Sequence, residues 1–424
     1  MTNYIKPQTL KGFRDFLPED ALKRQYIVEK VKETFKLFGF EPLETPTLEY
    51  ASLLLGKYGT EADKLVYTFK DKGEREIGLR FDQTVPTARI LAQYQKQLPR
   101  FFRRYQIQNV FRAEKPQKGR YREFTQCDID IFGSSNPLSD AEIIACTYFS
   151  FKNIGFKNVY IALNDREALI QTLKPFSSEK VSVFSIIQSM DKLGKLTQEQ
   201  VIQELIEKGL DKVTADSSLR KLLSIGPSQK ISEITQLAVK LGVNSTDLPF
   251  SSTLARGLDY YTGAIFEVIV EDYGSGSLGG GGRYDALIEK LGGVNIPAVG
   301  IAFGFDRIVE AAEQLGYISL TKTGTQVLVT VFSSSQLAQS IEITIVLRRS
   351  KIPTEVYIEP TDKLDKQLKY ADKKGIPYAV IIGPEEVAKN VVKLKDLAKR
   401  KEIIVKEEKL PEVILSVYPE IYRR

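Results

Sequence analysis

The stretch RRYQIQNVFRAEKPQKGRYREFTQCDIDIFG (residues 103–133) predicts two long β-strands joined by a turn at KPQKG (Lys115–Gly119). Polar residues occupy even-numbered positions along both strands, and apolar residues alternate with them. On the first strand the polar set is Arg104, Gln106, Gln108, Arg112 and Glu114. On the second strand it is Arg120, Arg122, Gln126, Asp128 and Asp130. Because successive side chains of a strand point to opposite sides, each strand has one apolar and one polar face.

The polar face of this strand pair admits two interpretations. In the first, the pair is an edge hairpin whose polar face meets water. In the second, the face binds a ligand, because arginines match phosphate groups in charge and forked geometry, and Phe124 offers a ring for stacking on a base. We favour the second, since a solvated face does not require Gln126 and Asp130 at fixed positions beside arginines.

The segments before the glycine-rich region predict a β-rich core with helices. Apolar residues at Val28, Val31, Phe35 and Phe38 predict a helix that ends near Gly39. From residue 169 to residue 242 the chain is rich in Lys, Gln, Ser and Glu with helical spacing. This part therefore predicts a helical module inserted into the core.

The remaining segments complete the core and add a second domain. AIFEVIV (residues 264–270) predicts a strand, followed by a glycine-rich turn and a helix, and AVGIAFG (residues 298–304) predicts a buried strand that leads into another helix. After a linker at GYISLTKTGTQ (residues 316–326), strands alternate with helices. Such alternation predicts a separate α/β domain with a largely parallel sheet.

Composition excludes several kinds of chemistry. None of the 424 residues is histidine, which rules out histidine-based acid/base catalysis, a Ser/His/Asp triad and any metal site with a histidine ligand. Cys127 and Cys146 alone form neither a disulfide framework nor a zinc site, so we expect no zinc. The net charge of +6 suits a polyanionic partner, although Lys and Arg are spread along the chain. No apolar run is long enough to span a membrane and the amino terminus does not resemble a signal peptide, so we expect a cytoplasmic protein without a membrane partner.

Two local features bear on nucleotide binding. GSGSLG (Gly274–Gly279) has the spacing of a dinucleotide-binding loop, but three more glycines precede the next helix and Asn295 lies near the expected acidic position, so we interpret it as a flexible hairpin turn. Arg307 lies in the first turn of a predicted helix, where a cation opposes the helix dipole. It is either an exposed, screened arginine or the partner of a bound phosphate.

Three segments resemble the motifs of class II aminoacyl-tRNA synthetases. FGFEPLETPTLEY resembles motif 1, FRAEKPQKGRYREFTQCDID motif 2 and PAVGIAFGFDRI motif 3. ARGLDYYTG (Ala255–Gly263) and GGGRYDALIEKLGG (Gly280–Gly293) resemble the pair of motifs found in the histidyl-tRNA synthetases. The resemblance covers essentially the whole chain. It implies an α+β catalytic core with an antiparallel sheet in two parts, residues 1–168 and 245–318, a helical insertion at 169–244 and an anticodon-binding α/β domain at 325–424.

The resemblance also implies a reaction and its residues. ATP, accompanied by Mg²⁺, would activate L-histidine as an adenylate before transfer to tRNA(His), and the protein would be a homodimer. Arg112 would hold the ATP α-phosphate and Arg256 would bridge that phosphate and the histidine carboxylate, the two catalytic roles. The other nucleotide residues would be Glu114, Arg120, Phe124 and Arg307. The histidine ligands besides Arg256 would be Asp82, Thr84, Gln126, Asp130, Tyr260 and Tyr261. Gln117 would contact the extra 5′ guanosine of the tRNA.

Departures and rivals remain. Asp82 and Asp130 stand where many bacterial members carry glutamate, a combination typical of eukaryote- and archaea-like members. Gln83 is less familiar at its position, and the sequence does not explain it. One rival is the regulatory subunit of ATP phosphoribosyltransferase, whose members lack the carboxy-terminal domain and commonly lose the RGLDYYTG residues. The others are a class II enzyme for proline, threonine or glycine and a catalytically silent paralogue. A threonyl enzyme needs a Cys/His zinc site, which this composition cannot supply.

Overall fold

The two strands predicted between residues 103 and 133 lie inside a seven-stranded sheet. The computed structural model describes residues 6–55, 64–116, 120–193, 195–255, 260–274, 276–318 and 322–417. It divides into a first unit, Met1–Asp15 with Tyr26–Tyr317, and a second unit, Phe16–Gln25 with Ile318–Arg424. Within the described part of the first unit, the strands are β1 (Glu41–Pro42), β2 (Leu48–Tyr50), β3 (Thr68–Lys70), β4 (Glu76–Leu79), β5 (Phe102–Phe111), β6 (Glu123–Phe132), β7 (Val159–Asp165), β8 (Ala264–Val270), β9 (Gly279–Arg283) and β10 (Ala298–Phe303).

The large sheet has the strand order β1-β5-β6-β10-β9-β8-β7. Only β1 is parallel to its neighbour among the described strands of this sheet, and the other pairs are antiparallel. Across the β5–β6 pair, Arg104 lies opposite Asp130 and Gln108 lies opposite Gln126. On the other side of β6, Asp130 lies opposite Gly300 of β10. The polar strand pair is therefore in the interior of the sheet, not at a solvated edge, and the expected antiparallel core is confirmed.

Helices surround the sheet. The described helices that begin before the second unit's strands are α1 (Pro18–Leu37), α2 (Ala51–Leu54), α3 (Thr84–Gln93), α4 (Pro137–Ile154), α5 (Arg166–Leu173), α6 (Val183–Met190), α7 (Gln198–Glu207), α8 (Lys212–Leu223), α9 (Gln229–Lys240), α10 (Asp285–Gly292) and α11 (Phe305–Gln314). The helix predicted to end near Gly39 is α1. No described helix is long and apolar enough to cross a membrane.

The helical spacing between residues 169 and 242 corresponds to α5–α9, each of which begins with a side-chain cap. A short polar side chain at each start accepts a hydrogen bond from a backbone N–H of the first turn, a group that has no partner inside the helix. The capping residues are Asp165, Ser182, Thr197, Asp211 and Ser228. At α7 the cap is reciprocal, because Gln200 returns a bond to the backbone of Thr197. These polar residues therefore fix where the helices of this region start.

The glycine-rich turn predicted after β8 was wrong for Gly279–Gly282. These glycines form most of β9, which is buried and pairs with β8 on one side and β10 on the other. Glycine is rare in strand interiors and usually marks a close approach of other groups. At Gly282 an added Cβ would lie 2.8 Å from the ring of Tyr261, and at Gly300 it would collide with the carboxyl group of Asp130. At Gly281 the added Cβ would lie 2.1 Å from the carbonyl oxygen of Gly300, so backbone as well as side-chain atoms leave no space for side chains on this strand.

The second unit contains a mixed five-stranded sheet among its described residues. Its strands are β11 (Val327–Val329), β12 (Thr354–Val356), β13 (Tyr378–Ile381), β14 (Val391–Asp396) and β15 (Lys401–Lys406), in the order β12-β11-β13-β14-β15. Its helices after β11 are α12 (Leu337–Arg349), α13 (Leu364–Lys374), α14 (Pro384–Ala388) and α15 (Leu410–Val417). The first three strands are parallel, but β14 and β15 are antiparallel, so the prediction of a largely parallel sheet was wrong for this edge.

Candidate active site

A buried ion pair lies at the centre of the polar face. Arg104 Nη2 is 2.7 Å from Asp130 Oδ2 and 3.9 Å from Asp128 Oδ2. The exposed fractions of Arg104, Asp128 and Asp130 are 1%, 4% and 5%. Charged groups are buried only when partners compensate the loss of water. One arginine and two carboxyl groups in such a place mark a site and not a solvated surface.

Burial changes the proton affinity of both aspartates. Burial raises the pKa of Asp128 to about 8, against the opposing effect of the Arg104 charge, and nearby Asp130 and Asp82 raise it further. Burial also raises the pKa of Asp130, while Arg104 and the hydrogen bond from Tyr284 lower it. Arg104 is held closer to Asp130 than to Asp128. The carboxylate form is therefore better stabilised on Asp130, and the proton is better accommodated on Asp128.

Tyr284 belongs to this site, although the sequence did not single it out. Its hydroxyl donates a hydrogen bond to Asp130 Oδ1. Its ring lies 6.1 Å from the ring of Tyr260, which in turn lies 4.6 Å from that of Tyr261. Gly282 and Gly300 lie opposite each other on β9 and β10. Tyr261 occupies the side-chain space of Gly282 and Asp130 occupies that of Gly300, so both side chains lie on the same face of the sheet. Tyr284 lies in GGGRYDALIEKLGG, a motif that indicated the family but not which of its residues belong to the site.

A second set of polar groups connects β5 to Thr45, which follows β1. Gln106 and Gln108 hydrogen-bond to each other and to Thr45, and Arg104 Nη1 donates to Gln106 Oε1 at 3.3 Å. Arg80 donates to the backbone carbonyls of Asn109 and Thr45 and to Gln108 Oε1. Hydrogen-bonded networks of this kind fix side-chain positions, although the buried Nε of Arg104 has no hydrogen-bond partner among the described residues. The even-numbered residues of β5 are thus held in place for the ion pair.

The segment before α3 explains Gln83. Its buried side-chain amide donates to the carbonyls of Gln108 at 3.1 Å and Gln126 at 2.9 Å, so it joins β5 to β6. Asp82 Oδ1 accepts the N–H of Val85 at 3.0 Å, and Thr84 is the first residue of α3. The chain thereby brings Asp82 near Asp128, whose pKa it affects. By bonding to β6, Gln83 fixes the positions of its neighbours Asp82 and Thr84 relative to that strand.

The predicted nucleotide residues are partly assembled. The Arg112 guanidinium lies over the rings of Phe81 at 4.4 Å and Phe124 at 5.0 Å. Arg112 and Phe124 thus continue the face that carries Gln126, Asp128 and Asp130. Arg120 is exposed, and its acidic partner is Glu114 at 3.8 Å.

Arg307 has a partner in the protein itself. Its Nη1 donates to the carbonyl of Ser277 at 2.6 Å, and Gly276 lies against its guanidinium. In the same turn of α11, Asp306 forms an ion pair with Arg14 at 2.8 Å, and Arg14 stacks on Tyr121. The opposition between a first-turn arginine and the helix dipole is thus offset by a neighbouring acid and a carbonyl. Two other predicted residues, Arg256 and Gln117, lie outside the described residues.

These features define a class of protein. An antiparallel sheet whose buried face carries arginines, carboxyl groups and glutamines, on a chain that continues into a separate α/β domain, is the architecture of the class II aminoacyl-tRNA synthetases. Among the described residues no group of three acids or cysteines could hold a metal ion.

Comparisons with known proteins identify the branch of that class. The family model "Histidyl-tRNA synthetase" matches residues 12–308, and the model "Anticodon binding domain" matches residues 326–416. The chain belongs to the histidyl-tRNA synthetase family, as its motifs predicted. The histidine--tRNA ligase of Gloeobacter violaceus is 38% identical over 454 residues, covering 95% of this chain and 96% of that protein. The one of Wolinella succinogenes is 39% identical over 418 residues, covering 93% and 94%. The crystal structure of histidyl-tRNA synthetase from Nostoc sp. PCC 7120 matches with a TM-score of 0.86 at 28% identity, covering 98% of this chain and 100% of that one.

Proposed function

We propose that this chain attaches L-histidine to tRNA(His) in two steps. In the first, a carboxylate oxygen of histidine attacks the α-phosphorus of ATP, and the bond to pyrophosphate breaks to leave histidyl-adenylate. In the second, a terminal ribose hydroxyl of the tRNA attacks the activated carbonyl, and AMP leaves. The observation that carries this proposal is the buried Asp130 between Arg104 and Tyr284, on the face that also carries Arg112 and Phe124.

ATP enters as its magnesium complex and binds at the arginine end of the face. Arg112 holds the α-phosphate, and Phe124 stacks on adenine. Glu114, Arg120 and Arg307 complete the nucleotide site. Negative charge develops on oxygens bound to phosphorus, so fixed guanidinium groups stabilise the transition state without a proton-transfer residue. A magnesium ion bound with ATP would supply positive charge that favours the departure of pyrophosphate.

Histidine binds at the acidic end. Asp82, Thr84 and Gln126 hold the amino group, and Arg256 bridges the substrate carboxylate and the α-phosphate. Asp130, Tyr260 and Tyr261 read the imidazole ring, and Tyr284 holds Asp130 in place. A site built from buried hydrogen-bonding groups discriminates strongly against a lookalike that leaves them without partners.

The tRNA contacts both units of the protein. Residues 325–424 bind the anticodon, and Gln117 meets the extra 5′ guanosine. The helical insertion at 169–244 divides the catalytic core into residues 1–168 and 245–318. Exposed apolar side chains on the small sheet of β2, β3 and β4, namely Leu48, Tyr50 and Phe69, support a homodimer interface at motif 1.

Amino-acid-dependent exchange of labelled pyrophosphate into ATP tests the proposal. Exchange is expected with histidine and with none of the other standard amino acids, and it should be lost in Arg112→Ala. Purified tRNA should then accept labelled histidine. A regulatory subunit or a silent paralogue would give no exchange with any amino acid, and exchange with proline, threonine or glycine would identify another class II enzyme.

A further inference from the structure

Asp128 contains a buried oxygen that no described residue satisfies. Asp128 Oδ2 accepts a hydrogen bond from Gln126 Nε2 at 2.7 Å, whereas Asp128 Oδ1 has no partner. Gln126 Oε1 is also buried and without a partner. Buried polar groups almost always find partners, so such atoms indicate a ligand that supplies the missing bonds. The two atoms belong to residues that alternate along one face of β6.

Asp128 lies between the two predicted subsites for histidine. Gln126, assigned to the amino group, is two residues before it, and Asp130, assigned to the ring, is two residues after it. Gln126 and Asp130 are four positions apart, about 13 Å along the strand. A histidine that is held by both side chains lies between their backbone positions and therefore next to Asp128.

The neighbouring strand leaves this region free of large side chains. On β10, Ala302 lies opposite Asp128 and Gly300 lies opposite Asp130. The charged and titratable groups that face Asp128 come from the other elements: Arg104 on β5, Asp130 on β6, Asp82 before α3 and Tyr284 before α10. Asp130 Oδ2 also lacks a hydrogen bond, but it lies 2.7 Å from Arg104 Nη2, and Asp130 Oδ1 accepts from Tyr284. Asp128 Oδ1, in contrast, has no partner among the described residues.

We propose that Asp128 also reads the ring, beside Asp130, Tyr260 and Tyr261, and binds the imidazole nitrogen that Asp130 does not bind. This proposal rests on the proposed function, since it assumes that histidine is the substrate. An imidazole ring has one donor and one acceptor nitrogen when neutral. Asp130, as a carboxylate, accepts the N–H. A protonated Asp128 donates its O–H to the bare nitrogen.

The protons balance in this arrangement. Neutral imidazole with protonated Asp128 contains the same two protons as imidazolium with both aspartates ionised. Neutral histidine therefore binds without net uptake or release of a proton while Asp128 keeps its proton. Burial of Asp128 raises its pKa to about 8, which keeps the proton in place at neutral pH. Above that pH the free site loses the donor, and histidine binding must take up a proton.

The experiment compares Asp128→Ala and Asp128→Asn with the unchanged protein. The asparagine amide can still accept from Gln126 and donate to the bare ring nitrogen, but it does not titrate. Thr125→Ala is the matched control, because Thr125 lies on the opposite face of β6, where it bonds to Asn109. Histidine-dependent pyrophosphate exchange gives the KM for histidine and for ATP from pH 6.5 to 9.5. Circular dichroism and thermal melting establish that each variant is folded.

Asp128→Ala should raise the KM for histidine about tenfold or more, the effect of one lost buried hydrogen bond, and change the KM for ATP less than twofold. In the unchanged protein the KM for histidine should rise about tenfold per pH unit above pH 8. Asp128→Asn should keep a KM near that of the unchanged protein at pH 7 and lack this rise. A KM for histidine within twofold in Asp128→Ala, or the same pH profile in Asp128→Asn, would overturn the proposal. Absence of exchange with histidine in the unchanged protein would instead contradict the proposed function.

Discussion

At the scale of single residues, Arg104 determines what the two buried aspartates can do. It is the only described cation within 4 Å of either carboxyl group, and it is itself 1% exposed. Arg104 Nη2 is 2.7 Å from Asp130 Oδ2, so its positive charge stabilises mainly the carboxylate form of Asp130. Asp128, at 3.9 Å, keeps a high pKa. A single arginine thus makes two chemically identical side chains different.

Replacing Arg104 by methionine should destabilise the fold strongly. The change keeps most of the volume but leaves two buried carboxyl groups without a cation, a situation that costs about 3–5 kcal/mol. Urea denaturation should record that loss in the free energy of unfolding at pH 7. Arg75→Met, which removes an exposed partner of Asp71 in the same unit, is the control and should cost less. A loss below about 1 kcal/mol in Arg104→Met would show that the ion pair does not stabilise the fold.

Asp128 also makes stability depend on pH. Its pKa in the folded state is about 8, above the ordinary value of 3.8, so the folded protein binds the proton more tightly than the unfolded chain. This contribution to stability is complete below pH 4 and is lost as the pH rises to 8. Asp128→Asn removes the titration, so its stability relative to the unchanged protein should rise between pH 5 and pH 8 by at most about 1.4 kcal/mol per pH unit. Urea denaturation of both proteins at each pH measures this difference in the free energy of unfolding.

At the scale of elements, the site depends on two pairs of strands, one that carries the polar side chains and one that leaves space for them. β5 and β6 carry long polar side chains, and β9 and β10 carry glycine and alanine beside them. The polar groups can be buried only because the next two strands leave space for them and for the tyrosine rings. Neither pair of strands would form the site alone.

Gly300→Ala tests this division directly. An added Cβ collides with the carboxyl group of Asp130 and lies 2.7 Å from the carbonyl of Ile129, so β10 or β6 must shift. The expected cost is about 1–3 kcal/mol of stability, with a rise in the KM for histidine and less change in that for ATP. Gly226→Ala is the matched control, because nothing lies within 4 Å of the Cβ it adds. Equal effects of the two substitutions would show that the close approach at Gly300 is unimportant.

The sequence predicted some of these elements and missed others for identifiable reasons. The alternation of polar and apolar residues predicted β5, β6 and the side of the sheet that carries the site, because each strand has one polar face. It gave no signal for β9, because four consecutive glycines have no side chains to alternate. On β14 the alternation was present, with Val392, Leu394 and Asp396 buried, but this segment was not predicted as a separate strand. Tyr284 and Gln83 act through contacts with residues more than 20 positions away, which one sequence does not reveal.

At the scale of the whole molecule, the proposed reaction gives the two units different tasks. The buried aspartates and Arg112 all lie in the first unit, to which the proposal assigns both the activation of histidine and its transfer. The second unit contains a cavity beside β12 that is lined by Arg348, Glu355, Val356, Tyr357, Ile358, Glu359 and Tyr370. Ile358 is 91% exposed there, and the two tyrosine rings are 5.6 Å apart. Aromatic and arginine side chains are the groups on which unpaired RNA bases stack.

Opposite charges placed at Ile358 should therefore separate histidine activation from tRNA charging. Ile358→Glu adds a negative charge that repels the RNA backbone, and Ile358→Lys, its matched control, adds a positive one at the same exposed position. The glutamate variant should raise the KM for tRNA about tenfold at low salt, the lysine variant should not, and the difference should shrink as salt screens the charges. Both should keep the unchanged rate of histidine-dependent pyrophosphate exchange, because no residue of the adenylation site is altered. Equal charging by the two variants would place the tRNA contact on another surface of this unit, and loss of exchange in either would mean that the substitution reaches the first unit.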